Sequence, residues 1–367
     1  MNKKKVIAAG AALGLAASLL VTMPAANAEP VANGPVVVGS DTLQDVLNAL
    51  TNGSGITGSN VRSTAGGLFA ASFDATGSTT IQTKSGGPRF GRPNGSGDGV
   101  RALSRSIDGN PYTSATPGSP ANVTISNQVD VARSSSGATV VANGPLLYIP
   151  FGRDALSYAH SGGANAAFDN LDQATLKGIF ECTITQVGGV TVTPVIPQTG
   201  SGTRNDFISK VGIGTLGGCV VTGQEHDTSN LANGEPFPAN AVTPMSAAQW
   251  VAQNTGAGVD RRGDGVKIGS PIAGTPAVTG TGAATVPNPT FYANSTWGRD
   301  TYIVVEAARV TAGDAKYDPN LANLVSNAAS KLGNTQSTLA AQAGSVKKKF
   351  GFLAPASATP FRAALRS

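Results

Sequence analysis

Residues 197–207, PQTGSGTRNDF, join a strand-like segment to a helix-like one. The preceding VTVTPVI at 190–196 alternates in a way that predicts a strand, and GTRNDFISKVG predicts a helix that ends at Gly212. Small and hydroxylated residues at a helix start leave backbone N–H groups open to an anion. The stretch is therefore either a plain loop or an anion-binding site.

The N-terminal part of the chain shows the same order of strand, short turn and helix. VVV at 36–38 predicts a buried strand. After a Gly-Ser turn, the apolar residues from Leu43 to Leu50 recur at helical spacing, and Asp41 or Thr42 is a suitable cap for that helix.

Later segments extend this alternation. The predicted elements are, in chain order, a helix after the Gly-rich turn at 94–99, an apolar segment and a strand separated by a break at Pro150 to Arg153, a helix starting near Asp172, a helix capped by Ser246, a strand within TYIVVEAARV at 301–310, and a helix within LANLVSNAASKLG at 321–333. Alternating strands and helices favour an α/β fold with mainly parallel strands.

The first 28 residues have the pattern of a secretory signal peptide. MNKKK is a basic start, VIAAGAALGLAASLLV is an apolar run, and small residues end at Ala28, where cleavage is predicted. No cysteine lies near Ala28, so no lipid attachment is expected there. We expect a soluble protein that is secreted or held in the cell envelope.

Charge and composition narrow the classes of function. The formal net charge is +5, and three of the lysines fall within the predicted signal peptide. Only 13% of residues are charged, against a usual value of about 25%. Because aromatic residues make up only 5% and no broad basic face is expected, nucleic-acid binding is not expected.

Two cysteines are present, Cys182 and Cys219. In an exported chain an isolated pair predicts one disulfide, and two buried free thiols are the alternative.

Four turns share one design, in which Gly with Ser or Thr follows a strand end and precedes a helix or turn. If they converge, their N–H groups and hydroxyls form an oxyanion pocket that needs little net positive charge, and arginine adds a charged donor. Singly, each is a plain structural cap. The candidate ligand-binding residues are Ser40, Asp41 and Thr42 in the first turn, Ser96 in the second, Arg133, Ser134 and Ser135 in the third, and Ser201, Gly202, Thr203 and Arg204 in the fourth.

The order of motifs resembles the phosphate-binding proteins of high-affinity phosphate transporters, and more closely their secreted actinobacterial relatives. The motifs are VGSDT, NGSGDGVRAL, VDVARSSSG, FGRDALSYA, LDQATLKGIF and PQTGSGTRNDF, with WGRDTYIVV as a return strand. The GSGT turn followed by a helix is the most specific of them.

The resemblance implies a periplasmic binding protein-like fold, with two lobes that close like a Venus flytrap and two crossover strands. After the predicted signal peptide at 1–28, it implies the first part of lobe 1 at 29–149, lobe 2 at 150–288, and a return to lobe 1 with a tail at 289–367. It also implies binding of inorganic phosphate or a related oxyanion and service to a membrane ABC transporter permease. Without a lipid anchor, a protein that scavenges or senses the anion is the alternative, and we expect a monomer.

Two departures from the family pattern bear on the ligand. The family's turn matched by ARSSSG usually carries an aspartate that accepts a proton from bound phosphate, and serines stand there in this chain. Ser135 or Asp41 takes its place, or the selectivity against sulfate is absent. The family's arginine just before GSGT is also missing, because Pro197 and Gln198 lie there.

Other functions remain open. One alternative is a cell-surface structural or adhesive protein that has lost the ligand, and another is a serine hydrolase with His160, His226 or a lysine as base. Two scattered histidines without a Cys/His cluster predict no metal site, and no cofactor is expected. His226 is expected on a surface loop or as a pocket-wall donor. KKKFGF from Lys347 is expected in a solvated tail.

Overall fold

The computed structural model describes residue 30 and residues 32–367, so the expected signal peptide at 1–28 lies outside the described residues. The helices are α1 Gln44–Asn52, α2 Ser96–Asp108, α3 Gln173–Phe180, α4 Gly202–Val211, α5 Ala247–Thr255, α6 Pro289–Ala293, α7 Ala307–Val310, α8 Pro319–Val325 and α9 Ala343–Lys349. None of these helices in the described part has the length and apolar character that a bilayer span requires.

Most strands are short. They are β1 Val36–Gly39, β2 Thr64–Ala65, β3 Leu68–Phe69, β4 Ala71–Ser72, β5 Thr80–Ile81, β6 Phe90–Gly91, β7 Val131–Ser134, β8 Leu146–His160, β9 Gln186–Val187, β10 Val190–Thr191, β11 Thr193–Pro197, β12 Val221–Gly223, β13 Ala241–Ser246, β14 Lys267–Ile268, β15 Val278–Thr279, β16 Val286–Pro287, β17 Gly298–Glu306 and β18 Phe361–Ala363.

One large sheet runs through the molecule in the order β12-β11-β13-β8-β17-β7-β1-β4. Lobe 1 is the half built on the parallel strands β4, β1 and β7, and lobe 2 is the half built on β13, β11 and β12. The long strands β8 and β17 run between the two halves. β8 pairs with β17 over its first part and with β13 over its last five residues. The predicted α/β fold of two lobes with two crossover strands is confirmed.

The break predicted at Pro150 to Arg153 is wrong, because β8 is continuous from Leu146 to His160. β17 pairs with β8 on both sides of that point, and the register shifts between Thr301 and Tyr302. Proline has no N–H to donate to a ladder, and a local irregularity is how a sheet accommodates it.

Both lobes contain apolar clusters, and the cluster around Val37 also includes Ala248 and Ala252 of α5. In lobe 1 the alternation of β1 sends Val37 to one face of the sheet and Val38 to the other, so the lobe has two apolar clusters. Lobe 2 has a large cluster that includes Phe180 and Phe207. Trp297 packs in that cluster and Trp250 in a smaller one. The domain boundaries at 149 and 288 stay a prediction.

The local signals for three helix starts are confirmed. Asp172 accepts from Thr175 N at 2.8 Å, Ser201 caps α4, and Ser246 accepts from Gln249 N at 3.1 Å. α4 ends as predicted at Gly212, which has a φ of 75°. The disulfide between Cys182 and Cys219 is confirmed as well.

Three other local predictions are wrong. Neither Asp41 nor Thr42 caps α1, since a 3-10 turn at Asp41–Leu43 precedes the helix and both side chains have partners in lobe 2. The helix predicted at 321–333 ends at Val325. Lys347 is not in a solvated tail.

Lys347 lies buried at the end of α9, where its Nζ donates to Phe151 O at 2.8 Å and to Leu332 O at 2.7 Å. The ammonium also lies 3.7 Å from the ring centroid of Phe151. Burial lowers the pKa of Lys347 well below its ordinary value. The run of three lysines concealed this core position because only one of them turns inward.

Candidate functional site

The second, third and fourth turns meet at one point between the lobes. Ser96 Oγ lies 2.9 Å from Ser135 Oγ, and Ser135 N donates to Ser96 Oγ at 3.0 Å. Gly202 packs against both, because a Cβ added there would lie 2.4 Å from Ser96 Oγ and 2.5 Å from Ser135 Oγ. Ser96 begins α2 and Gly202 begins α4, so two helix N-termini face the same point.

The first turn reaches the same place from lobe 1. Thr42 Oγ1 lies 3.3 Å from Thr203 Oγ1 and donates to Glu225 Oε1 at 3.1 Å. Ser40 is fully buried, and within the described residues its Oγ has no hydrogen-bond partner. All four predicted turns therefore contribute to one closed interface.

Backbone contacts hold this interface tightly. A Cβ added at Gly95 would lie 2.2 Å from Gly200 O, so only glycine allows the two turns to approach this closely. Gln198 Nε2 donates to Asn94 O across the same contact at 3.1 Å. Because α2 packs on β7 and β1 while α4 packs on β11 and β13, these contacts join lobe 1 to lobe 2.

Several predicted residues point elsewhere. Arg133 is buried, and its guanidinium donates to Ser40 O at 3.0 Å, to Gly39 O at 2.9 Å and to two further groups of lobe 1. It therefore holds the first turn in place. Ser134 Oγ donates to Ser136 O at 2.7 Å.

In the fourth turn, Ser201 Oγ accepts from Arg204 N at 2.9 Å as a helix cap. Arg204 Nη1 donates to Pro197 O at 2.7 Å, and burial lowers the pKa of its guanidinium.

The charged donor at the site is Arg299, which the turn motifs did not indicate. It lies on β17 and its Nη2 donates to Thr203 Oγ1 at 3.1 Å and to Thr42 Oγ1 at 3.4 Å. It is paired with Asp154 at 2.8 Å and Asp206 at 3.3 Å. Burial disfavours the charged guanidinium and works to lower the pKa of Arg299, but the charges of these two carboxylates outweigh it, and the pKa is raised. GRD at 298–300, within the predicted return strand, was the only signal for it.

Glu225 and His226 also belong to this interface. Of the two positions expected for His226, the surface loop is wrong, because the residue is buried and its Nδ1 lies 2.7 Å from Asp41 Oδ1. Burial works to raise the pKa of Asp41, but the hydrogen bond and charge of His226 outweigh it, and the pKa is lowered. Gln249 Nε2 donates to Thr42 O at 2.8 Å. The tetrad GQEH at 223–226 was the available signal.

Chemically, the arrangement is a set of hydroxyls, helix N-termini and one paired arginine. Such groups donate hydrogen bonds to an anion. Within the described residues no hydrogen bond joins Ser201 or a serine of the third turn to a histidine, which a serine nucleophile and its base require.

Several solved structures are similar to this chain. One is an ABC-type phosphate transport receptor from Vibrio cholerae, with 15% identity, a TM-score of 0.47, and coverage of 88% of this chain and 100% of that chain. Another is a putative phosphate ABC transporter substrate-binding protein with bound phosphate from Clostridium perfringens, with 12% identity, a TM-score of 0.48, and coverage of 80% and 93%.

A third is a high affinity periplasmic phosphate-binding protein bound with phosphate, with 14% identity, a TM-score of 0.46, and coverage of 87% of this chain and 90% of that chain. These proteins are of the class that the sequence motifs resemble. No protein-family model and no curated protein matches the chain.

Proposed function

We propose that this protein is an exported solute-binding protein that holds phosphate or a similar oxyanion between its two lobes and performs no covalent chemistry. One observation carries the proposal. The starts of α2 and α4, from opposite lobes, meet at Ser96, Ser135 and Gly202 in a buried interface. The first N–H groups of a helix have no partner within the helix, and its dipole favours negative charge there.

The local charges agree with binding by neutral donors. Arg299 is already paired with Asp154 and Asp206, so hydroxyls and backbone N–H groups supply most of the contacts to an anion. Hydrogen bonds from such donors to an anion are stronger in a closed cleft that excludes water than they are in water.

Binding requires the lobes to part. Thr42 Oγ1 and Thr203 Oγ1 are 3.3 Å apart and come from opposite lobes, so an anion enters only when they separate and then replaces their direct contact. β8 and β17 are the connections about which the lobes turn. Hinge closure around a ligand is a common device of two-lobed proteins, and we propose presentation of the captured anion to a membrane permease as the outcome.

A titration of the protein with phosphate, sulfate and a small phosphate ester tests this function. Anion at 100 times its dissociation constant adds about 2.7 kcal/mol to the free energy of unfolding, so the melting temperature rises. Thr203→Val removes one donor and weakens binding by about 10-fold to 150-fold, since a hydrogen bond to a charged group contributes about 1.5–3 kcal/mol. Thr191→Val, at the exposed position of β10, is the matched control.

A second candidate is a cell-surface protein on the same fold that binds no ligand. It is favoured by the direct pairing of Ser96 with Ser135 and of Thr42 with Glu225, which satisfies these hydroxyls without an anion. An unchanged melting temperature with all three anions would favour this candidate over the oxyanion-binding protein.

A further inference from the structure

A cluster of metal-ligand residues lies beside the hydroxyls of the cleft. The ligand atoms of Asp41, Glu225 and His226 are all within 4.8 Å of one another. The three residues are only 3%, 2% and 2% exposed. Asp41 comes from lobe 1, while Glu225 and His226 follow β12 in lobe 2. The fold therefore brings together groups that lie far apart in the sequence.

The imidazole of His226 is held in one orientation. Its Nδ1 lies 2.7 Å from Asp41 Oδ1, and an ionised carboxylate can only accept, so Nδ1 carries the hydrogen. When the ring carries no second proton, its Nε2 lone pair lies on the other side, toward Glu225 Oε1 at 3.8 Å. A carboxylate that accepts from one nitrogen while the other binds metal is a common arrangement.

Two atoms of this cluster are buried and unpaired. Within the described residues, His226 Nε2 and Glu225 Oε2 have no hydrogen-bond partner. Buried polar atoms are seldom left in this state, and a bound water or ion is one way in which they are satisfied. Both atoms are of the kinds that bind a divalent metal ion.

The local charges also favour a cation. Arg261 is paired with Asp45, and Arg299 with Asp154 and Asp206, so each of these two arginines shares its charge with carboxylates outside the cluster. The cluster itself holds two buried carboxylates and one imidazole. Buried carboxylates are costly unless a positive charge compensates them, and a divalent cation supplies two.

We propose that Asp41, Glu225 and His226 form a site for a first-row divalent metal ion such as Zn²⁺. His226 Nε2 and the Glu225 carboxylate bind the ion, and Asp41 orients the imidazole. A nitrogen and carboxylate ligand set suits Zn²⁺, whereas Mg²⁺ and Ca²⁺ prefer oxygen ligands alone. Water or an anion in the cleft completes the coordination. The proposal replaces the expectation of no metal site and does not depend on anion binding.

Calorimetric titration of the chelator-treated full protein with Zn²⁺ tests this site. We expect one equivalent to bind and Mg²⁺ not to compete. Glu225→Gln and His226→Gln each abolish that binding, because each removes a ligand. Asp41→Asn retains both ligands but weakens binding by about 10-fold to 100-fold, the usual effect of losing an orienting partner. Glu235→Gln, an exposed carboxylate of the same segment, is the matched control and binds as the wild type does.

Circular dichroism confirms that each variant is folded before its titration is compared. Failure of the folded wild type to bind Zn²⁺ saturably would overturn the proposal. Zn²⁺ binding of wild-type strength in Glu225→Gln or in His226→Gln would overturn it too. Phosphate titration of the chelator-treated protein distinguishes the metal site from the proposed anion-binding function. If that protein binds phosphate but not Zn²⁺, the proposed function stands and only the metal site is refuted.

Discussion

Gly202 offers a direct test of lobe closure. A methyl group added there would lie 2.4 Å from Ser96 Oγ, 2.5 Å from Ser135 Oγ and 2.8 Å from Ser96 Cβ, whereas ordinary contacts are 3.4–4 Å. Rotation of the Ser96 hydroxyl does not relieve the contact between the added methyl group and Ser96 Cβ. The lobes themselves must therefore move apart. α4 alone tolerates the change, since alanine favours a helix more than glycine does.

The expected size of the shift toward open molecules follows from this steric overlap. Overpacking of a close interface costs about 1–3 kcal/mol, and here that cost falls only on the closed arrangement. The ratio of closed to open molecules therefore drops by about 5-fold to 150-fold in Gly202→Ala. Solution X-ray scattering should report a larger radius of gyration, and calorimetry a correspondingly weaker affinity for phosphate.

Gly218→Ala is the matched control, because a Cβ there meets nothing within 4 Å and no left-handed backbone is involved. It should leave both the radius of gyration and the anion affinity unchanged. A Gly202→Ala protein with the radius and the affinity of the wild type would refute the claim that the starts of α2 and α4 meet in the closed molecule.

Three further predictions concern stability. Arg299→Ala leaves the buried Asp154 carboxylate without its partner, and we expect a loss of about 3–5 kcal/mol in the free energy of unfolding by urea titration; a loss below about 1 kcal/mol would contradict this. Burial lowers the pKa of His160 from its ordinary 6.5, despite the opposing effect of Asp169, so the unfolded chain takes up the proton first. The stability that neutral His160 contributes is therefore complete above about pH 6.5 and is lost as the pH falls below that value. His160→Gln should flatten the decline in the free energy of unfolding measured between about pH 7 and pH 5, and an unchanged slope would refute this. Replacing Cys182 and Cys219 together by serine opens a loop of 37 residues and should lower the free energy of unfolding by about 4 kcal/mol; thermal unfolding of reduced wild type should agree, and an unchanged melting temperature would argue against the pairing.

The elements that sequence reasoning predicted well depend on local signals. Asp172, Ser201 and Ser246 cap helices within three residues of themselves, and such contacts are visible in a short window. The sequence identified the four Gly-Ser turns but did not show that they meet. The parallel strands β1 and β7 of lobe 1 end on the same side, which brings the first and third turns together, whereas their contact with the fourth turn depends on how the two lobes face each other.

The missed parts of the site depend on long-range contacts. Thr42 and Glu225 are 183 residues apart, and Thr42 and Arg299 are 257 apart. No spacing in the sequence reports such a pair, because the two long crossover strands create it. The same holds for Lys347, whose partner carbonyl at Phe151 lies 196 residues away.

A crystal structure of the protein grown with saturating phosphate would show the anion site itself. We expect tetrahedral density between the starts of α2 and α4, with Thr42 Oγ1 and Thr203 Oγ1 moved apart beyond their 3.3 Å contact and both directed at the anion. Clear density for these hydroxyls still in direct contact, with no anion between the lobes, would contradict this expectation.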